Sequence, residues 1–202
     1  MQLHKRDVIA KATEILDSFG IADLTMRRLA RELDVTAGAL YWHFANKQEL
    51  LGAVADDLLR PAVRPASAAD WSERTVTVCT RLRDALLSHT DGAELVSASF
   101  AAGQSDAMPQ ILALLSAAAL DAGVPPAQSE LAARTVVYYV LGFTVDEQSR
   151  LQWDAAGAAL PAEQSVLDPP VDQRDAFGFG LSLLIDGMAV RGSQSLRRTS
   201  PE

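Results

Sequence analysis

The chain has 202 residues, and 49% of them are hydrophobic, which excludes a disordered tail and suffices for one large or two modest domains. No apolar run approaches the roughly 18 residues of a membrane-spanning helix, and the N-terminus lacks the apolar stretch of a signal peptide, so we expect a cytoplasmic protein with no membrane partner. The net charge of -8 argues at first against a nucleic-acid partner, and the single cysteine, Cys79, excludes an internal disulfide.

The first predicted helix spans roughly residues 4–19. We expect it to end at Gly20, because glycine commonly follows a helix C-terminus. Its apolar residues recur at helical spacing and predict one buried stripe, formed by Val8, Ile9, Ala12, Ile15, Leu16 and Phe19.

Two short helices joined by a tight polar turn are predicted next, at about 27–33 and 37–43. Asn46 then caps a fourth helix that runs to about Leu59, and Glu49 completes the capping box three positions later. Helices placed in this way present one of their number to a DNA groove. The apolar positions that predict their common core are Leu29, Ala30, Leu33, Val35, Leu40 and Phe44.

A row of polar and aromatic residues in this segment points away from the predicted core. Large aromatics make no packing contact in water, whereas on DNA they lie against sugars, phosphates and thymine methyl groups. The alternative is a small helical subdomain whose aromatics pack on helices elsewhere. The outward set is Arg27, Arg28, Thr36, Tyr41, Trp42, His43 and Lys47.

The excess of acidic residues lies outside this segment. Residues 1–50 carry seven basic and seven acidic side chains, so the whole charge of -8 belongs to residues 51–202. An acidic body repels DNA, which limits contact to the N-terminal part, and its few cations favour two copies on two half-sites. The candidate phosphate-facing cations are Lys5, Lys11, Arg27, Arg28 and Lys47.

Prolines 61 and 65 mark the predicted boundary between two domains, 1–60 and 61–202. The second domain is also predicted to be helical, which makes the fold class all-α: a three-helix helix-turn-helix domain followed by a helical ligand-binding and dimerisation domain. Ser72 is the expected cap of its first helix, whose inward residues include Val76. A helix ending before Gly123 includes Leu120, and residues 152–172 are expected to form a long connection.

The segments 128–151 and 173–191 are predicted to be halves of a four-helix bundle made by two subunits. The first is apolar on more than one side, and such a helix needs two partners. The second contains three glycines and is followed directly by Gly192, and glycines let helices approach closely. The alternative is that both are core helices of a monomer.

We find no catalytic constellation in the sequence and expect no enzymatic activity. The three histidines are far apart, and neither an HExxH nor a phosphate-loop motif is present. Ser88, His89 and Asp91 lie at one helix end, whereas the members of a triad come from distant segments. Asp146 and Glu147 point about 100 degrees apart on a helix, so they are expected to be solvated or interface charges rather than an acid pair.

The segment LTMRRLARELDVTAGALYWHFANKQELL resembles the DNA-binding domain of TetR-type transcriptional repressors. The segments ALLSHTDGAEL, LGFTVDEQ and FGFGLSLLIDGM resemble those of the tetracycline-repressor subgroup. This resemblance implies a homodimer that binds a palindromic double-stranded DNA operator and releases it when a small-molecule effector binds the C-terminal domain. The DNA-contacting residues it implies are Arg27, Thr36, Ala37, Gly38, Tyr41, Trp42, His43 and Lys47. The alternative function is a helical interaction module with no effector switch.

The chain departs from that subgroup at the implied metal site. Val96 occupies the position of a magnesium-binding histidine, and Asp146 alone is too few ligands for a divalent cation. We therefore expect no metal or cofactor, no binding of magnesium-tetracycline, and a largely apolar effector. The residues expected to line its pocket, each of which could instead be ordinary core, are Val63, Val78, Leu82, Val96, Phe100, Met108, Ile111 and Leu141.

Overall fold

The computed structural model describes residues 3–67, 70–155 and 172–199, and every regular element within them is a helix. This confirms the all-α prediction. In chain order the helices are α1 (Lys5–Asp23), α2 (Met26–Glu32), α3 (Ala37–Tyr41), α4 (Lys47–Leu58), α5 (Trp71–Leu87), α6 (Gly92–Ala101), α7 (Ala107–Asp121), α8 (Pro126–Ala155) and α9 (Gln173–Thr199).

Side-chain caps define the starts of the three short N-terminal helices. The Thr25 and Thr36 side chains accept hydrogen bonds from the amides of Arg28 and Ala39, at the starts of α2 and α3. Asn46 Oδ1 accepts from Glu49 N at 2.8 Å at the start of α4. The Glu49 carboxylate accepts in return from Ala45 N, one residue before the predicted partner.

Three sequence predictions about helix ends and faces are wrong. Gly20, with φ 78°, kinks α1 instead of ending it, and helical geometry resumes up to Asp23. Asp70, not Ser72, caps α5 by accepting from the amides of residues 72 and 73. The Ser72 hydroxyl also donates to the Asp70 carboxylate, and this hydrogen bond is the main cause that lowers the pKa of Asp70. Val76, predicted to face inward, is 43% exposed.

The described chain forms two compact units that do not follow the predicted boundary at residue 60. One unit joins the residues up to Arg64 to Arg81–Ile111, and the other joins Pro65–Thr80 to the residues from Leu112 onward. Spatial contact defines these units, so the division into domains 1–60 and 61–202 stays a prediction.

Helix α4 is at the centre of the first unit, where it packs against both α1 and α6. Side chains from all parts of this unit are fully buried, among them Leu16, Leu29, Leu40, Leu50 and Leu95. Burying a leucine side chain is worth about 1.5–3 kcal/mol. Helices α1–α4, called the head below, and α6 therefore share one apolar core.

In the second unit α8 packs against α9. Tyr139, Phe143 and Phe177 form an aromatic cluster with ring centroids 5.5–5.8 Å apart, and the Tyr139 hydroxyl donates to the Phe177 carbonyl. Helix α9 also passes close to the turn before α8, where Gly192 lies against the backbone of Ala122. The predicted connection 152–172 is helical up to Ala155, and its residues 156–171 lie outside the described part.

None of the helices in the described segments is both long enough and apolar enough to cross a membrane.

The replacement Gly192→Ala is expected to destabilise the protein, because the added methyl group meets the Ala122 carbonyl. We expect the free energy of unfolding to fall by about 1–3 kcal/mol. Gly178→Ala is the matched control on the same helix, since a methyl group there has no neighbour within 4 Å; we expect no loss and at most about 1 kcal/mol of gain. Urea unfolding followed by circular dichroism measures both, and equal midpoints would contradict the close packing at Gly192.

Candidate DNA-binding face and effector site

Helix α3 is held by two anchors and presents two aromatic side chains on its other side. Leu40 and Phe44 are buried, at 0% and 1% exposure, while Tyr41 is 52% exposed and Trp42 90% exposed. Exposed side chains of this size leave apolar surface available for contact with a binding partner. The structure thus confirms the predicted inward positions of Leu40 and Phe44 and the predicted outward positions of Tyr41 and Trp42, whereas Leu33 and Val35, predicted for the core, are half-buried.

The eight predicted DNA-contacting residues all lie in the segment that runs from α2 to the first turn of α4. The Thr36 hydroxyl already caps α3 by accepting from Ala39 N at 3.3 Å. His43 and Lys47 are half-buried, whereas the other six are exposed: Arg27, Thr36, Ala37, Gly38, Tyr41 and Trp42. Their contact with DNA stays a prediction.

Three of the five candidate cations pair with carboxylates within the first unit. Lys5 Nζ is 3.6 Å from Glu49 Oε1 and 4.9 Å from the centre of the Phe44 ring. Lys11 pairs with Glu14 one turn along α1, and Arg28 pairs with Asp23 (below). For the remaining two, Arg27 and Lys47, no ion pair occurs within the described segments.

Arg28 was predicted to point outward, but its side chain is only 18% exposed. It is partly covered by Phe19, a residue that the sequence wrongly assigned to the apolar stripe of α1. Phe19 is 54% exposed, and the Arg28 guanidinium carbon lies 3.6 Å from the centre of its ring. Arg28 Nη1 also donates to Asp23 Oδ1 at 2.8 Å. The Phe19 ring turns outward because it covers this cation, which fastens α2 to the end of α1. Arg28 therefore has a structural role.

The predicted effector-pocket residues are mostly core residues of their units. Val63 and Phe100 are half-buried and the other six are buried. Val78 and Leu141 belong to the second unit and the remainder to the first, so the predicted pocket stays a prediction. Next to Val78, burial raises the pKa of the Cys79 thiol to about 12, as expected for a cysteine that serves as a small core residue.

Buried polar residues on α5 and α8 were missed by the sequence reasoning. Arg83 and Glu147 are only 6% and 7% exposed. Of the two predicted alternatives, a solvated or an interface charge, the solvated one is therefore wrong for Glu147. Asp146 is exposed as predicted and accepts from Arg150 Nε at 2.8 Å. The signal available was helical spacing, because Val140, Thr144 and Glu147 follow one buried face of α8.

Within the described segments, no three histidine, cysteine, aspartate or glutamate side chains are grouped closely enough to hold a metal ion.

Two family models cover the chain. The model for bacterial regulatory proteins of the tetR family matches residues 8–54, and the model for the tetracyclin repressor-like C-terminal domain matches residues 64–191. The chain therefore belongs to the TetR family. It is a DNA-binding transcriptional regulator and not an enzyme, and regulators of this family act on operator DNA as homodimers.

Similar solved structures agree with the described fold. The crystal structure of Mycobacterium smegmatis BioQ is 63% identical, covers 95% of this chain and 100% of its own, and superposes with a TM-score of 0.87. BioQ crystallised with its double-stranded DNA operator is 62% identical, with 93% and 99% coverage and a TM-score of 0.80. The class A tetracycline repressor from Escherichia coli is 32% identical over 94% of this chain and 92% of its own.

Replacing Arg28 by alanine is expected to destabilise the head, because it removes a cation-π contact and a partly buried ion pair. We expect a loss of about 1–2 kcal/mol in the free energy of unfolding. Arg31→Ala is the control on the same helix, because the Arg31 side chain is 74% exposed; its effect should stay within about 0.5 kcal/mol. Thermal unfolding measures the loss of stability in both variants. Equal losses would contradict the structural role of Arg28.

Proposed function

We propose that the chain is a homodimeric repressor that binds a palindromic operator through residues 27–47 and leaves it when a small, largely apolar effector binds the C-terminal domain. The observation that carries the proposal is the exposure of Tyr41 and Trp42 beside the buried anchors Leu40 and Phe44. BioQ, at 62% identity, has been crystallised with its double-stranded DNA operator, which supports operator binding by this chain. Since operator DNA lies in the bacterial cytoplasm, we propose that location for the protein.

The recognition helix is proposed to read apolar groups and DNA shape. Ala37, Gly38 and Ala39 have no side-chain hydrogen-bonding groups, and the Thr36 hydroxyl caps the helix. Bidentate contacts to base edges are therefore absent from these positions, and methyl and aromatic contacts to thymine take their place. Arg27 supplies a phosphate contact that fixes the register.

We propose that the second copy covers the outer faces of α8 and α9. Leu131, Tyr138 and Val145 recur at seven-residue intervals on α8 and are 67%, 58% and 37% exposed. A groove of about 380 Å³ runs between the two helices and is lined by apolar side chains that include Leu131 and Leu183. A seven-residue apolar repeat is the pattern that packs helices into a bundle, so two copies complete the four-helix bundle predicted from the sequence.

The effector is proposed to be largely apolar and to bind without a metal ion. Val96 is fully buried at the position where the resembled subgroup has its metal ligand. The Asp146 carboxylate is engaged by Arg150 on the same helix. Mg²⁺ is octahedral and is usually bound by one or two protein carboxylates, and the apolar Val96 and the engaged Asp146 do not supply them.

The operator-binding proposal predicts that Arg27→Ala and Tyr41→Ala weaken binding while leaving the dimer intact. Loss of the Arg27 phosphate contact in each copy should lower the affinity for the operator about tenfold and reduce the salt dependence of binding. Fluorescence anisotropy with DNA from upstream of the gene measures the affinity, and sedimentation measures the dimer. Arg60→Ala, which removes an exposed cation outside residues 27–47, is the control.

Equal affinities for all three variants would show that another face binds DNA. If the wild-type protein bound DNA without sequence preference, the interaction-module alternative would replace the repressor.

The effector proposal predicts that magnesium-tetracycline leaves operator binding unchanged. Without a metal ligand at residue 96, magnesium-tetracycline is expected to bind neither conformation of the repressor more tightly than the other. It then does not shift the equilibrium between the DNA-binding and the DNA-releasing conformation. The same anisotropy titration with tetracycline and magnesium measures this, and tetracycline alone is the control. Release of the operator at micromolar drug would overturn the proposal.

A further inference from the structure

The outer face of α9 is apolar except at one position. Phe179, Leu183 and Val190 lie on this face and are 67%, 56% and 54% exposed. Asp186 lies three residues after Leu183 and four before Val190, and it is exposed as well. These spacings place the four side chains on one side of the helix. The outer face of α9 therefore has a carboxylate among its apolar side chains.

The groove between α8 and α9 contains a single charged side chain. Of the residues that line it, only Arg191 is charged, and Arg191 is exposed. Between residues 176 and 195 of α9, Asp186 and Arg191 are the only charged residues. Within the described segments, neither side chain takes part in an ion pair or a hydrogen bond.

The two charges cannot pair with each other within one helix. Residues five apart point about 140 degrees apart around the helix axis and lie about 7.5 Å apart along it, whereas residues three or four apart are neighbours. The charges on α8 do have such neighbours, because Arg134 pairs with Glu130 and Arg150 pairs with Asp146. The described part of each protomer therefore has an unpaired carboxylate and an unpaired guanidinium on the central part of α9.

We propose that Asp186 of each subunit forms an ion pair with Arg191 of the partner subunit, and that these two contacts make the interface selective for a second copy of this chain. This inference rests on the proposed covering of α8 and α9 by a second copy. A two-fold interface uses the same surface on both subunits, so a contact made once is made twice with the roles exchanged.

The need to pair buried charges gives this contact its selectivity. Covering the outer face of α9 removes Asp186 and Arg191 from water, and a buried charge is costly unless it is paired. A second copy supplies the opposite charge for both residues. A related chain without these two charges would leave both of them buried and unpaired, and the interface would discriminate against it.

Charge reversal at each position tests the pairing. In Asp186→Arg two guanidinium groups meet at each contact, and in Arg191→Asp two carboxylates meet. Because like charges repel strongly across an interface, the dissociation constant of the dimer should rise about a hundredfold in each variant. Sedimentation without DNA measures this constant, and circular dichroism shows that each variant is folded.

An equimolar mixture of the two variants shows whether the contact joins two subunits. In a mixed dimer of one Asp186→Arg subunit and one Arg191→Asp subunit, both contacts again join a guanidinium to a carboxylate. The mixture should therefore form a dimer with a dissociation constant close to that of the wild type. A general disturbance of the surface would not be repaired by mixing, so a mixture that stays monomeric overturns the pairing.

Two charge reversals elsewhere serve as controls. Glu94→Arg on α6 and Arg31→Asp on α2 lie at exposed positions outside α8 and α9. Both variants should dimerise as tightly as the wild type, because neither charge lies on the proposed interface. Dimers of wild-type strength in both Asp186→Arg and Arg191→Asp would overturn the pairing.

The variant Leu183→Glu separates failure of the pairing from failure of the proposed dimer. It places a charge on the outer face of α9 without changing Asp186 or Arg191. If Leu183→Glu is monomeric while the two charge reversals dimerise normally, the second copy covers this face and only the pairing is overturned. A monomeric wild type, or a Leu183→Glu dimer of wild-type strength, overturns the proposed covering of α8 and α9 itself.

Discussion

The packing of α4 between α1 and α6 is the constraint on which the first unit depends. Val54, Ala55 and Leu58 are buried along α4, and Gly52 removes the side chain that would separate α4 from the loop after α6. Helices that meet so closely move together, because packed interiors have few voids to absorb a shift. The orientation of the DNA-binding head therefore depends on the packing of α4 against α6.

The electrostatics of the head serve its folding as much as its binding. Lys5 and Arg28 each combine an ion pair with an aromatic ring, an arrangement that fixes helix positions in a domain with a small core. Few cations are then left for phosphates. A single head with so little positive charge is expected to bind DNA weakly, and in the proposed dimer two heads raise the affinity through their effective concentration. The small number of cations available for phosphate contacts thus favours a dimer over a monomer for DNA binding.

The tetracyclin repressor-like C-terminal family model matches residues 64–191, and the interior of this part of the chain contains both apolar and charged side chains. Val96 is fully buried, and Arg83 and Glu147 are buried charges on α5 and α8. Buried charges are costly unless they are paired, so they restrict which side chains and ligands are accommodated nearby. These buried side chains support the proposal of an effector other than magnesium-tetracycline.

The sequence by itself determined the helical elements, the inward and outward faces of α3, and the cap of α4, because these depend on neighbours within a few residues. It failed at Phe19, Gly20 and Glu147. The ring of Phe19 is turned outward by a cation on another helix, and the kink at Gly20 is completed by a carboxylate 71 residues further along the chain. Only the tertiary structure decided these features, since their partners are distant in sequence and periodicity carries no record of such contacts.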